Sequence, residues 1–209
     1  MLPWSLACAA FVAGALYARR SGRETLEWLF KPAAAGCFLG LALDEGALET
    51  RYGTLMLAGF ALAALGDVLL IPKSKRAFLA GLASFLLGHV AYAIAFAVRG
   101  VEPTWAAAAA VLLAIAVLPV MRWLWPHVGG KMRGPVIAYV VVITAMVALA
   151  AGTFGARADA RILGGAIAFY LSDLAVARER FVAPGFVNRA WGLPLYFGAQ
   201  LVLAWSVGG

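Results

Sequence analysis

Eight apolar runs follow one another along the chain, at 2–18, 29–43, 53–71, 76–98, 103–121, 134–151, 161–177 and 190–207, with short polar interruptions between them. Each approaches the roughly 20 residues that a helix needs to cross a bilayer. Lipid offers backbone groups no hydrogen-bond partner, and the runs are too long and too continuously apolar for barrel strands. The pattern therefore predicts an all-α fold: a polytopic membrane protein, one domain over residues 1–209, built as a bundle of eight transmembrane helices. The second run is short and carries Lys31 near its start. The first run is followed by Arg19 and Arg20 rather than preceded by cations, the wrong polarity for a cleaved secretory signal. It reads as a retained first helix.

Composition agrees. The 209 residues are 64% hydrophobic and only 13% charged, which excludes a disordered chain and exceeds what a soluble core requires. A formal charge of +7 raises the question of a nucleic-acid partner, but the cations sit in short loops, where they orient helices. Arg19, Arg20, Arg23, Lys31, Lys73, Lys75, Arg76, Arg122, Lys131, Arg133, Arg178, Arg180 and Arg189 follow the odd-numbered runs. Only Arg51, Arg99, Arg157 and Arg161 follow the even ones. By the positive-inside rule the first set is cytoplasmic and both termini are external, in the inner membrane of the cell. Trp28, Trp105, Trp123, Trp125 and Trp191 lie near run ends, where interfacial anchors belong. Cys8 and Cys37 fall inside apolar runs and predict inert core positions rather than a disulfide or a metal framework.

Two carboxylates interrupt this picture. Asp67 lies in "LAALGDVLLIPKSKR", five residues before Pro72, and Asp173 lies in "GGAIAFYLSDLAVARERF", five before Arg178. Both helices run toward the cytoplasm, so both carboxyls sit roughly 7–8 Å inside that boundary. An ionisable group there costs roughly 2.5–3.5 kcal/mol, which makes it a candidate for function. Other polar residues fall at similar or greater depth: Lys31, Tyr139, and Ser172 beside its aspartate. His89 and Tyr92 share a helix face at i,i+3, as do Tyr196 and Gln200 at i,i+4. Together these predict one cavity open to the cytoplasmic side. Structural roles stay open beside this: Lys31 or Arg76 as ion-pair partner to an aspartate, His89 as an interhelical donor, the tyrosines as helix contacts. Pro32, Pro119, Pro135 and Pro194 are expected to start or kink helices, and His127 to be a solvated loop residue. Gly66-Asp67 and Ser172-Asp173, each followed by basic residues and a Phe, hint at a duplication of four plus four helices.

The segments "LFKP" at 29–32, "LGDVLL" at 65–70, "FLAGLASFLLGHVAYAIAF" at 78–96, "GPVIAYVVVITAM" at 134–146, "GGAIAFYLSDLAVARERF" at 164–181 and "YFGAQLVLAW" at 196–205 give the chain its resemblance to the YhhN-like family. Animal members of that family include lysoplasmalogenases. The resemblance implies a hydrolase acting on an ether bond: the vinyl ether of a lysoplasmalogen is cleaved to a fatty aldehyde and a glycerophospho-base. It implies a lysophospholipid substrate drawn from the lipid bilayer, and no cofactor. Carried across by motif, the catalytic residues are Asp67 and Asp173, and the supporting ones Lys31, His89, Tyr92, Tyr139, Ser172, Tyr196 and Gln200. Asn188 stands near the start of the last helix.

The chemistry suits two carboxyls. Vinyl ether hydrolysis starts with a proton delivered to the β-carbon and passes through an oxocarbenium ion, as glycoside hydrolysis does. Two nearby carboxyls in a poorly hydrated cavity are expected to share one proton, leaving one as acid and one as carboxylate. No metal is expected, because the chain has two His in all. No G-x-S-x-G is present for a serine hydrolase, and "ALGD" lacks the G-x-G-D of an intramembrane aspartyl protease. The alternatives to a vinyl ether hydrolase are a hydrolase of another lysolipid and a lipid or small-molecule carrier.

Overall fold

The computed structural model describes residues 1–209 apart from Lys73, and describes Glu24 by its backbone alone. Lys73, counted above among the cytoplasmic cations, thus lies outside the described residues. Each apolar run becomes one helix: α1 (Leu2–Arg20), α2 (Glu24–Asp44), α3 (Arg51–Leu69), α4 (Lys75–Arg99), α5 (Pro103–Leu124), α6 (Gly130–Arg157), α7 (Ala160–Ala177) and α8 (Phe186–Trp205), with a π-helical turn at Arg178–Val182. All eight are long and apolar enough to span a membrane, and no strand occurs among the described residues. The molecule is a multi-pass helical membrane bundle.

Polar residues close the helix ends. Thr50, Ser74, Glu102 and Asp159 precede α3, α4, α5 and α7, and the side chain of each accepts a backbone N–H of the first turn. α6 runs from Gly130 to Arg157 where the hydropathy pattern gives 134–151, and α2 begins at Glu24 rather than at 29. Hydropathy ends a run at a charge, but Glu27 and Lys31 are both buried against ionic partners, so the helix continues through them. Lys31 therefore lies about two turns inside α2 and is not a loop cation. Pro32, Pro119, Pro135 and Pro194 all lie inside helices and start none of them.

The helices form two sets of four arranged alike. α1 packs on α2 and α3 on α4; α5 packs on α6 and α7 on α8 in the same way. Contacts of α2 with α3 and α8 recur as contacts of α6 with α7 and α4. Four helices per set give both sets the same direction across the membrane. The arrangement breaks at one place: α1 leans on α8, whereas α5 makes at most a marginal contact with α4. As a result α5 is held mainly by α6, and Val111, Leu112, Ile115 and Leu118 face outward. Within each set the tightest pair meets through glycine. A side chain at Gly88 would press on the Gly59 carbonyl at 3.3 Å, and one at Gly192 would overlap Ala175.

Candidate active site

Asp67 sits two residues before the end of α3, and Asp173 four residues, about one turn, before the end of α7. Equivalent places in the two sets of four bring both to the wall of one cavity of about 410 Å³. Lys31, Tyr139, Ser172 and Tyr196 line it too, beneath an apolar wall that includes Leu82, Phe85, Val136, Val140 and Ile143. Its mouth lies at the cation-rich end, among Arg19, Glu179, Arg180 and Arg189. One side is formed by Val117, Val120 and Leu124 of α5 and by Tyr170 and Leu174 of α7. These two helices both pack on α6 and barely touch each other.

The carboxyls have different company. Asp67 is buried, with Oδ1 3.3 Å from the Lys31 ammonium, and its Oδ2 accepts the Tyr196 hydroxyl at 2.7 Å. Lys31 also donates to the Asp67 carbonyl at 3.1 Å. Asp173 is half-buried; its Oδ2 accepts the Tyr139 hydroxyl at 2.7 Å and lies 3.8 Å from His89 Nε2. No hydrogen bond joins the two carboxyls among the described residues. The two carboxyls are thus separately partnered, Asp67 beside an ammonium and a hydroxyl, Asp173 beside a hydroxyl and an imidazole.

The remaining residues divide. Ser172 spends its hydroxyl on the Phe169 carbonyl of its own helix. Tyr92 and Gln200 are not on the cavity wall; they meet each other at 2.8 Å, buried beneath it. His89 is also behind the wall, wedged between Tyr139 and Phe169, with both ring nitrogens lacking a hydrogen-bond partner among the described residues. Arg76 is exposed and is not the partner of either aspartate. His127 is exposed as expected, its Nδ1 3.2 Å from the Trp123 carbonyl.

The pairs follow the twofold arrangement of the helices. Lys31 of α2 reaches Asp67 as Tyr139 of α6 reaches Asp173, and Tyr196 of α8 reaches Asp67 as His89 of α4 approaches Asp173. Corresponding residues lie about 107 positions apart in the sequence. Lys31 against Tyr139 sets a lysine ammonium in one half where the other half has a phenol hydroxyl.

At the mouth, the sequence singled out neither Glu27 nor Glu179, and it marked Asn188 only by its place near the start of the last helix. Glu27 is buried and holds Arg189 at 2.7 Å and Arg19 at 3.8 Å. Asn188, also buried, accepts from Arg178 and donates to Glu179 at 2.8 Å. Glu27 was legible in one respect, since it lies four residues before Lys31 and so on the same helix face. Cys8 and Cys37 are free and buried, directed at carbonyls of α2. Among the described residues no group of three His, Cys, Asp or Glu side chains is gathered in a way that could hold a metal ion.

Comparison with known proteins places this architecture. Residues 26–207 match the YhhN family. The chain is 29% identical over 193 residues to "Lysoplasmalogenase TMEM86A" of Bos taurus, covering 86% of this chain and 72% of that protein. It is 33% identical over 185 residues to the protein of the same name from Homo sapiens, with 86% and 72% covered. A "Lysoplasmalogenase" of Mycobacterium bovis is 31% identical over 183 residues, with 85% and 67% covered. No solved structure matches. With the matched region running from α2 through α8 and including every cavity residue discussed above except Arg19, the chain belongs to the YhhN family.

Proposed function

We propose that the protein is a membrane-embedded hydrolase that cleaves the vinyl ether bond of lysoplasmalogens (1-alkenyl-glycerophospho-choline or -ethanolamine) to a fatty aldehyde and a glycerophospho-base. The names of its relatives support the reaction class. One observation on this chain supports the chemistry: two carboxyls on the wall of a single apolar cavity, one beside an ammonium and the other beside a hydroxyl and an imidazole. The cation-rich end faces the cytoplasm, both termini lie outside, and the membrane is the inner cell membrane. The lysolipid slides in from the bilayer between α5 and α7, its tail along Val117, Val120 and Leu124 and its headgroup toward the mouth.

The roles follow from charge. Asp67, against Lys31, is the carboxylate. Asp173, with no lysine or arginine against it, carries the proton and gives it to the β-carbon of the vinyl ether, while Tyr139 steadies the carboxylate left behind. The positive charge that develops on the ether-bearing carbon is stabilised by Asp67. Water adds to that carbon and returns its proton to a carboxylate. The hemiacetal then breaks its bond to the glycerol oxygen, which takes a proton, and aldehyde departs. Lys31 and Tyr196 hold the Asp67 carboxylate in place during these steps.

The test is mass spectrometry of purified protein incubated with a lysoplasmalogen and a matched acyl lysolipid. Aldehyde from the vinyl ether alone is expected. Fatty acid from the acyl lipid would replace the bond assignment with another lysolipid hydrolase. Absence of product from both would end the hydrolase reading of these two substrates.

A further inference from the structure

Outside the aspartates the cavity wall carries a third acid, Glu179, in the π-helical turn that follows α7, a geometry common at functional sites. A second cavity, about 620 Å³ and open outward, adjoins the first: Arg19, Glu179 and Pro184 line both, and Arg20, Gly185 and Phe186 complete the outer one. Glu179 is held rigidly. Its Oε2 accepts the Gly185 N–H at 2.7 Å and the Asn188 amide at 2.8 Å. Its Oε1 has no hydrogen-bond donor among the described residues, and the Arg189 Nε is 3.9 Å away. Around it stand two cations resting on aromatic rings, Arg180 over Phe78 at 4.2 Å and Arg20 over Phe186 at 5.6 Å. A wall of arginines attracts a phosphate, and an immobilised carboxylate with one open oxygen among them attracts an ammonium.

We propose that this junction is the subsite for a zwitterionic phospho-amine headgroup, with the phosphate between Arg19 and Arg180 and the ammonium on Glu179 Oε1; it rests on the lysolipid reading above. The axial spacing agrees. Six residues separate Asp173 from Glu179, about 9 Å at the helical rise, so a lipid whose reacting carbon is at Asp173 extends its phosphate and amine outward to the junction. Glu179 is thereby a specificity-determining residue, because without it the arginine-lined mouth favours a headgroup of net negative charge.

The test uses two non-hydrolysable 1-O-alkyl lysophospholipids, one with an ethanolamine headgroup and one with N-acetylethanolamine, which keeps the phosphate and loses the positive charge. Affinity for each is measured by calorimetry on the detergent-solubilised full chain, wild type and Glu179→Gln. Gln at this position retains an acceptor for the Gly185 N–H. The wild type is expected to bind the ethanolamine lipid about tenfold more tightly, the worth of one charge-assisted hydrogen bond. Glu179→Gln is expected to abolish or invert that preference. Equal affinities in the wild type overturn the proposal without recourse to any variant, as does failure to bind either probe. An unchanged ratio in Glu179→Gln overturns it too. The probes contain no vinyl ether, so a protein that discriminates between them yet releases no aldehyde from lysoplasmalogen contradicts the hydrolase reading and not the headgroup subsite.

Discussion

Replacing Lys31 by Met tests the asymmetry on which the assignment of roles depends. The side chains of Lys31 and Asp67 are 5% and 3% exposed, with charges 3.3 Å apart, so solvent barely screens them. At an effective dielectric constant of about 20 their gross attraction is about 5 kcal/mol. Removing one partner of such a buried pair strands the other, at a cost of about 3–5 kcal/mol. Lys31→Met leaves Asp67 with only the Tyr196 hydroxyl. For a protein of this length about 2–4 °C of melting temperature corresponds to 1 kcal/mol, so the expected loss is about 6–20 °C. Asp67→Asn strands the ammonium instead and is expected to cost a similar amount. The double variant removes both charges, keeps an acceptor for Tyr196, and is expected to regain about 2–3 kcal/mol over the sum of the singles. Thermal unfolding of the four proteins in one detergent completes the cycle. Additive losses would refute the pairing, and with it the reason for naming Asp67 the carboxylate.

Tyr139→Phe removes the hydroxyl that steadies Asp173 and leaves the ring against His89; kcat for aldehyde release is expected to fall about 10–100-fold with little change in melting temperature, as a parallel assay of both would show. On the opposite side of the bundle, Asp159 opens α7. Burial pushes its carboxyl up, but the Arg161 guanidinium and backbone N–H outweigh burial and hold it below the ordinary 3.8. A depressed carboxyl contributes stability above its unfolded value and loses it as pH falls through the folded one. Asp159→Asn is therefore expected to lower the melting temperature at pH 7, with the deficit shrinking below pH 3.8; a deficit constant with pH would count against this ion pair.

The spans and the aspartates were legible because membrane insertion leaves a simple signature: a long apolar run, and any charge within it stands out. That same signature hid the start of α2. Glu27 looks like a loop residue to hydropathy and Lys31 weakens the run that follows, yet each is paired with a residue from another helix, Arg189 and Asp67, and that pairing exists only after folding. His89, Tyr92 and Gln200 stood out as polar residues within apolar helices, but which side of the cavity wall they occupy was not legible. Helix rotation decides it, and continuously apolar helices carry little periodic signal of rotation. The likeness of the two halves is faint in sequence because mostly the contact pattern is kept, and Lys31 and Tyr139 hold equivalent places with different chemistry. Glu179 could not be read as a site residue, since the π-helical turn that brings it to the wall has no local sequence mark.

The measurement that bears most directly on the account is the aldehyde formed from a lysoplasmalogen in D₂O by wild type, Asp67→Asn and Asp173→Asn. Proton delivery to the β-carbon predicts one deuterium on the carbon next to the aldehyde in the wild-type product. It also predicts a fall of about 10²–10⁴ in rate for Asp173→Asn, the usual worth of a general acid. Aldehyde without deuterium, or Asp173→Asn turning over at the wild-type rate, would contradict it.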